Sequence, residues 1–221
     1  NFALGTYIVR VEVTDGKDVT TNEWRLSLVT SVELSSFTAK FFGFDGVQIE
    51  WVTSRESDNL GFDVLRSRSE NGNYTKINDE LIPTDPQGQY QFVDKNVQVG
   101  VRYYYILEDV NVNGVRTQNG PIAIDVTAPE TFNLSQNYPN PFNPETKIRY
   151  QLPASGKVEI KIFDLLGRQV KTLISENMDA GFHEITWDAR NQSGHKVSSG
   201  IYYYQITAGD FRETKKMILM K

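Results

Sequence analysis

Few side chains in this sequence are suited to catalysis or to metal binding. The 221 residues contain no cysteine and only two histidines, His183 and His195. A protein zinc site needs three or four nitrogen, sulfur or oxygen ligands, so two scattered histidines without cysteine predict none. His183 precedes an alternating apolar pattern and is interpreted as the edge histidine of a strand. His195 follows Gly194 and is interpreted as part of a hairpin tip.

Acidic pairs are the other candidates, because carboxylate oxygens are the ligands that Ca²⁺ prefers. None of the pairs has the spacing of an EF-hand loop, and Asp in turns commonly binds its own backbone. We therefore interpret them as solvated turns and expect no cofactor, with a structural calcium ion as the open alternative. The pairs are Asp15 with Asp18, Glu56 with Asp58, and Asp79 with Glu80.

No motif in the chain predicts an enzyme. The sequence lacks a nucleophile elbow, a phosphate-binding loop and a dinucleotide fingerprint. Paired carboxylates that hydrolyse glycosides need a cleft to hold them at a defined separation, which small packed sandwiches rarely provide. We expect a non-catalytic chain.

Composition excludes two further classes. The formal net charge is −5 with both signs interspersed, which argues against a nucleic-acid groove. No apolar run approaches the roughly 18 residues of a membrane helix, so we expect no membrane span. Aromatic residues make up 12% of the chain, which favours strands.

Residues 1–31 predict a β-hairpin. Tyr7, Val9, Val11 and Val13 alternate, the Asp15-Gly16 dipeptide is typical of a turn, and a second alternating run follows. That run is Trp24, Leu26 and Leu28. The stretch Gly5-Thr6-Tyr7-Ile8-Val9-Arg10-Val11 resembles the last two strands of cadherin-like and PKD-like immunoglobulin-fold repeats. The hairpin is therefore interpreted as the end of a truncated or incomplete repeat.

Residues 32–127 predict a β-sandwich of about seven short strands. Val47, Ile49 and Trp51 alternate, and Asn-Gly dipeptides punctuate the segment. The run Gly100-Val101-Arg102-Tyr103-Tyr104-Tyr105 and the pattern from Trp51 through Gly61-Phe62 to Ser67 resemble a fibronectin type III domain. They are similar in particular to the fibronectin-like domain that often precedes the sorting domain of type IX secreted proteins.

Residues 137–144 predict a stiff, extended segment, which we call the strap. Three prolines fix φ, remove backbone donors and bias their predecessors toward extended geometry. We expect the rings of Tyr138 and Phe142 to pin the strap to the domain that it opens or to the preceding one. Thr127–Asn137 is interpreted as a connector before the strap.

Residues 128–221 predict a second sandwich of about seven strands and no helix. Val158, Ile160 and Ile162 share one face, Gly167 suits a turn with positive φ, and the chain ends in a strand from residue 211. Lys215, Lys216 and Lys221 suggest an exposed edge strand that lysines keep from pairing.

This last segment resembles the type A sorting domain of type IX secretion, which is related to the immunoglobulin-like domain of the flagellar hook-capping protein. Two positions depart from the family: Ala189 stands where Gly is common, and Asn191 where Asp is frequent. The residues that carry the resemblance and form the candidate site are Asn137, Tyr138, Pro139, Asn140, Pro141, Phe142, Asn143, Pro144, Gly167, Trp187, Asp188, Gly200, Tyr202, Tyr204, Thr214 and Lys216.

The sequence thus predicts an all-β chain of tandem immunoglobulin-like or fibronectin-like sandwiches with an N-terminal hairpin. The resemblance implies the C-terminal region of a large secreted or cell-surface bacterial protein, with a fibronectin-like spacer and a sorting domain. Its implied partner is the outer-membrane type IX secretion machinery, which would read a folded sandwich with an exposed terminal strand.

Two alternatives remain open from the sequence. One is a subunit of an extracellular filament or surface layer, assembled by self-association through β-strand edges. The other is a carbohydrate-binding accessory module of an upstream hydrolase, with rings of Tyr103–Tyr105 or Tyr202–Tyr204 as platforms. Because alternate rings of a strand face opposite sides, at least one ring of each triplet is expected in a core.

Overall fold

The computed structural model describes residues 5–14, 19–28 and 32–220, and these form an all-β chain. Within them the one helical segment is a 3₁₀ turn at Gly43–Asp45, and none reaches the length and apolar character needed to cross a membrane. The strands in chain order are β1 (Gly5–Thr14), β2 (Val19–Leu28), β3 (Val32–Phe41), β4 (Val47–Glu56), β5 (Asn59–Ser67), β6 (Thr75–Lys76), β7 (Ile82–Pro83), β8 (Gln89–Asp94), β9 (Val101–Asn111), β10 (Arg116–Val126), β11 (Asn133–Leu134), β12 (Thr146–Leu152), β13 (Gly156–Asp164), β14 (Gln169–Met178), β15 (Gly181–Trp187), β16 (Gly200–Ala208) and β17 (Phe211–Leu219).

The described residues divide into two compact units. Unit 1 comprises those within Asn1–Lys40, together with Gln48–Asp94 and Tyr103–Ile124. Unit 2 comprises Phe41–Val47, Lys95–Arg102 and those within Asp125–Lys221. The short segments 41–47 and 95–102 therefore belong to unit 2, although the chain enters them from strands of unit 1.

Unit 1 is built on two sheets that share an aromatic core. Their strand orders are β3-β4-β8 and β10-β9-β5-β6, with β7 also paired to β5. Trp51 of β4 lies 5.4 Å from Phe62 of β5 and stacks at 5.2 Å on Tyr90 of β8, as ring centroids. The Trp51 side chain is fully buried, which fits the core tryptophan that the sequence predicted.

The sandwich of unit 2 packs a three-stranded sheet, β11-β12-β15, against a four-stranded sheet, β14-β13-β16-β17. Alternate residues of each strand point between the sheets because the side-chain period of a strand is two. Burial of apolar area at these positions is the main favourable term in the stability of such a domain. The buried cluster includes Ile148 and Tyr150 of β12, Val158, Ile160 and Ile162 of β13, Trp187 of β15, Tyr202, Tyr204 and Ile206 of β16, and Met217 and Leu219 of β17.

The all-β fold class and the seven strands of the last sandwich, β11–β17, are as the sequence predicted. In the first tyrosine triplet Tyr103 and Tyr105 are buried and Tyr104 is not, and the second triplet follows the same alternation. The hairpin strands β1 and β2 are present, whereas the predicted turn at residues 15–18, with Asp15 and Asp18, lies outside the described residues.

The predicted connector, Thr127–Asn137, is wrong in part. Asn133 and Leu134 form β11, which pairs with Gln151 and Tyr150 of β12, and Leu134 is buried in the core of unit 2. A two-residue strand has no alternation to recognise, so the sequence pattern could not reveal it.

Gly61, a glycine of the fibronectin-like pattern, has no room for a side chain. Its φ is +150°, and a Cβ there would collide with the backbone oxygen of Ile82 in β7. We expect Gly61→Ala to lower the free energy of unfolding by about 2–4 kcal/mol, because both strain and a backbone clash must be relieved. Calorimetric and denaturant unfolding of the full chain measure this.

The matched control is Gly156→Ala, at a strand glycine with open space around the added methyl group. Its effect should stay within about 0.5 kcal/mol, as is usual for surface substitutions. Equal losses in the two variants would contradict the clash.

Candidate functional site

The strap begins as an extension of the three-stranded sheet. The backbone N–H of Tyr138 donates to the oxygen of Lys147 at 2.9 Å, and the N–H of Lys147 donates to the oxygen of Tyr138 at 2.9 Å. Because Lys147 belongs to β12 and β11 already pairs with the other end of β12, Tyr138 continues that edge. The strap is therefore part of the sandwich and not a linker before it.

The far end of the strap pairs with the terminal strand β17, in the opposite sheet. The N–H of Phe142 donates to the oxygen of Ile218 at 3.0 Å, and the N–H of Met220 donates to the oxygen of Phe142 at 2.9 Å. The side-chain oxygen of Asn140 accepts from the N–H of Ile218 at 3.0 Å. The strap thus occupies the backbone groups of Ile218 that face away from β16.

Upstream of the strap, further contacts continue along the same strand. The ring of Phe132 stacks on that of Phe211 with centroids 5.0 Å apart, and the N–H of Leu134 donates to Glu213 Oε2 at 3.3 Å. Gln136 Nε2 donates to the oxygen of Lys216 at 2.8 Å. Residues 132–142 therefore lie beside β17 from its start to its end, and we call this segment the edge cover.

The edge cover corrects one expectation from the sequence. We predicted that β17, with Lys215 and Lys216, would be an exposed edge strand. Several of its outward backbone groups are instead paired with residues 136–142, and Lys215 forms an ion pair with Glu213 at 3.1 Å. An unpaired strand edge is a template for aggregation, which the cover prevents at these positions.

A buried polar network fixes the start of the strap. Asn137 is 2% exposed, and its side-chain amide donates to Thr146 Oγ1 at 2.8 Å and to the oxygen of Pro139 at 3.1 Å. Its backbone N–H donates to Tyr204 Oη, which in turn donates to the oxygen of Ser135 at 2.7 Å. Every buried polar group named here has a partner, as an apolar core requires.

Tyr204 is held in its neutral form by this environment. Burial raises the pKa of its hydroxyl to about 12, and nearby Glu213 adds to the rise, while the hydrogen bond from Asn137 opposes it. The hydroxyl therefore stays a donor at neutral pH. It links β16 to the residues just before the strap.

The two aromatic rings of the strap differ in burial. Phe142 is 1% exposed, with its ring centroid 5.6 Å from that of Trp187. Trp187 also contacts Tyr202 edge-on at 5.2 Å, so three of the candidate residues meet in the core. Tyr138 is 79% exposed, so the prediction that both rings pack is confirmed for Phe142 and wrong for Tyr138.

The three strap prolines explain why the strap does not itself become a new edge. Pro139, Pro141 and Pro144 are exposed and lack a backbone N–H, so they cannot donate to an added strand. The peptide bonds that precede them are cis. Asn143 and Pro144, at the end of the strap, line a cleft together with Leu219 and Met220.

The remaining candidate residues lie in turns or at strand ends. Gly167 has φ +74° in the turn between β13 and β14, and Gly200 begins β16 opposite Leu219. Asp188 binds Lys171 at 3.2 Å. Burial alone would raise the pKa of the Asp188 carboxyl, but the hydrogen bond and charge of Lys171, together with backbone hydrogen bonds, hold that pKa below its ordinary value. Thr214 accepts from Gln205 across the β16–β17 pair at 2.8 Å.

Ala189, which stands where the family pattern has glycine, has a backbone conformation typical of glycine. Its φ is +54°, in the left-handed region that favours glycine, and its methyl group is buried in the core cluster. Glycine at this position would remove the strain, whereas alanine adds a buried methyl group. Ala189 thus adopts the left-handed backbone conformation that the glycine of the family pattern would favour.

The opposite edge of the four-stranded sheet is also covered in part, by a loop that the sequence did not reveal. The N–H of Gln192 donates to the oxygen of Val170, and Gln192 Oε1 accepts from the N–H of Thr172 at 3.0 Å. The oxygen of Val170 and the N–H of Thr172 both lie on the outer side of β14. No residue pattern marks Gln192 for this role, because it depends on how the loop folds back.

Two of the side chains with catalytic or metal-binding potential, His183 and Glu56, make structural contacts. His183 stacks on Tyr150 at 5.3 Å and contacts the oxygen of Asp179, and His195 is exposed. The Glu56 carboxylate accepts from Thr53 and Asn59. In the part of the chain that the structure describes, no three His, Asp or Glu side chains converge as a metal site would need.

A family model for the FlgD Ig-like domain matches residues 140–210 of this chain. The match begins inside the strap, at Asn140, and ends at Asp210, just before β17. It covers the middle of the sandwich, including Gly167, Trp187 and Tyr204. No curated protein matches the chain.

Among solved structures, dimeric latent PorU from Porphyromonas gingivalis is similar at 15% identity and a TM-score of 0.35, over 86% of this chain and 20% of PorU. The chain thus spans about a fifth of PorU. The chicken CNTN1 FN1–FN3 domains are 11% identical, with a TM-score of 0.35, over 98% of this chain and 78% of theirs. Likenesses this distant give no information on function.

The contrast between Phe142 and Tyr138 gives a direct test of the strap. Phe142→Ala should lower the free energy of unfolding by about 3–5 kcal/mol, the cost of emptying a buried phenylalanine site. Tyr138→Ala should change it by less than about 0.5 kcal/mol, because the ring is exposed and the backbone bonds to Lys147 remain. Denaturant unfolding of the full chain measures both, and a similar loss in the two variants would refute the assignment of the core ring.

Proposed function

We propose that this chain is a non-catalytic part of a larger exported bacterial protein. Residues 32–127 act as a fibronectin-like spacer, and residues 128–221 act as the domain that the outer-membrane type IX secretion machinery recognises. The location is the cell surface or the extracellular space. Beyond the sequence resemblance, the family match of residues 140–210 to an Ig-like domain supports the assignment of the domain type.

One observation carries the proposal. The sequence patterns at the two ends of the sorting-domain resemblance, the strap and the terminal strand, lie side by side in space and hold each other in place. Each is incomplete alone, since the strap has few backbone donors of its own and β17 would present an open edge without it. A compact module with protected edges requires both segments together.

The non-catalytic part of the proposal has its own support. Three of the candidate side chains, those of Glu56, His183 and Asp188, are engaged in hydrogen bonds or ion pairs that stabilise strands and turns. The exposed residues near the strap are mainly prolines and asparagines, which suit recognition better than proton transfer.

An export assay tests the function. A periplasm-directed reporter fused ahead of the full chain is expressed in a type IX–competent bacterium, and the reporter is quantified in periplasm, on the surface and in the medium. We expect export, and we expect deletion of residues 214–221 to leave the reporter in the periplasm, because the edge cover loses its strand. Retention of the unaltered fusion in the periplasm would overturn the proposal.

A matched deletion serves as the control. Removing residues 1–28 deletes β1 and β2, which pair only with each other among the described strands. Export should be unchanged, since none of the strap's contacts within the described residues involves β1 or β2. Equal loss of export in both deletions would indicate a general folding defect and not a loss of recognition.

Assembly into a filament or layer is a second candidate, favoured by one observation. β1 and β2 form a two-stranded sheet, and in the described part of the chain no other strand joins it. Two strands alone are marginally stable in water, so a further strand would stabilise them. The outer backbone edges of the hairpin offer that position to a strand of another molecule.

Sedimentation of the purified full chain tests assembly. Concentration-dependent larger species that vanish when residues 1–28 are removed would support it. A monomer at every concentration, with or without the hairpin, would exclude it.

A further inference from the structure

One end of the four-stranded sheet in unit 2 exposes apolar side chains that its core does not use. Leu165 and Leu166 are 64% and 77% exposed in the turn after β13, Ile201 is 37% exposed at the start of β16, and Met220 is 51% exposed after β17. We call these four residues the end patch. Contiguous exposed apolar groups of this kind mark interaction surfaces more often than isolated ones do.

Strand pairing brings the end patch together. Asp164 pairs with Tyr202, so the Leu165–Leu166 turn begins where β16 starts, and Ile201 pairs with Ile218 of β17. Adjacent strands lie about 4.8 Å apart, so the three strand ends span roughly 10 Å. The patch is therefore set by three strands of a well-paired sheet and not by one loop.

A cleft adjoins the patch at Met220. It has a volume of about 340 Å³ and an apolar floor that includes Ala189, Val197 and Leu219. Lys196 is the one charged residue among the described residues that line it, and it forms no ion pair with a described residue. An apolar cleft with one uncompensated cation is complementary to an apolar side chain next to a carboxylate.

The other end of the same sandwich lacks this charge bias. Its cleft, of about 430 Å³, is lined by apolar residues but carries both Lys157 and Asp210. The strand edges offer less, since β17 lies under the edge cover and β14 is bound in part by Gln192. Recognition of this domain through backbone pairing at β17 would first require the cover to leave.

We propose that the end patch and its cleft are the surface by which unit 2 docks on its receptor, through an extended segment that presents an apolar side chain beside Asp or Glu. This inference rests on the proposed function and names the contact within it. The apolar side chain enters the cleft, the acidic group binds Lys196, and Leu165 and Leu166 contact the flank. The edge cover stays in place throughout.

The test uses the full chain in the export assay, with Leu166→Asp and Lys196→Glu as the main variants. Both side chains are exposed, so purified variants should unfold within about 0.5 kcal/mol of the unaltered chain. Leu166→Ser replaces Leu166→Asp if that variant fails this check. We expect each main variant to lower export by about tenfold, which corresponds to about 1.4 kcal/mol of binding.

Controls separate the patch from general charge effects. Ala154→Asp and Lys157→Glu make the same kinds of change at the opposite end and should export normally, as should Lys196→Arg. If the unaltered chain is exported and both main variants match it, the docking surface is wrong while the proposed function stands. If the unaltered chain is not exported, the docking surface and the proposed function are both wrong.

Three further outcomes would contradict the proposal that the partner is an extended acidic segment. Loss of export in Leu166→Asp but not in Lys196→Glu would exclude an acidic segment. Binding of the purified chain to vesicles of phosphatidylethanolamine and phosphatidylglycerol, abolished by Leu166→Asp, would point to a lipid surface. Self-association abolished by the same variant would point to a second copy of the chain.

Discussion

The structure of unit 2 depends on the pairing of the edge cover with the terminal strand. Gln136 and Phe142 donate to backbone oxygens of β17, and Asn140 accepts from a backbone N–H of β17, so these groups do not face water. The same segment buries Phe142 against Trp187. The segment thus performs two tasks at once, closing the side of the sandwich and completing its core. Because it pairs with β12 through Leu134 and Tyr138 and with β17 through Gln136 and Phe142, it also ties the two sheets together.

This pairing explains the unusual composition of the strap. A segment that lies on a sheet edge must accept and donate on its inner side and offer nothing on its outer side. Asparagine side chains supply hydrogen bonds on the inner side, as Asn137 does to Thr146 and Asn140 does to Ile218, and proline removes outward donors. A regular strand in the same place would cover β17, but its own outer backbone groups would then be unpaired and open to another strand.

The sequence predicted the regular part of this fold well and the irregular part poorly, for a physical reason. The alternation of Val158, Ile160 and Ile162 follows from the period of a strand, and all three are buried. The strap has no period, so nothing local distinguished Phe142, which is buried, from Tyr138, which is not. β11 is too short to alternate, and Gln192 covers β14 through a contact between loop and strand that only the folded chain creates.

The candidate site was predicted as a set of residues but not as an arrangement. The resemblance selected Phe142 of the strap, Trp187, Tyr202 and Tyr204, and these four lie in one core. A motif that recurs in a family often marks the residues that shape its fold. The sequence pattern did not predict that the end patch would be exposed, since leucines in a turn look alike whether they pack or stay exposed. Exposure is a property of the folded chain, and it became visible only when the pairing of β13, β16 and β17 placed Leu166, Ile201 and Met220 at one end.

Covered edges and an exposed apolar end are consistent with one physical requirement. An exported domain that must be recognised yet stay soluble cannot rely on an open strand, because backbone pairing accepts almost any partner strand and so promotes aggregation. Side-chain recognition in a cleft discriminates by shape and charge, and a wrong partner leaves Lys196 without a counter-charge. On the proposed function, the strap therefore contributes to specificity indirectly: by removing β17 as a general pairing site, it leaves the side-chain surface at the end of the sheet as the feature that a receptor can distinguish.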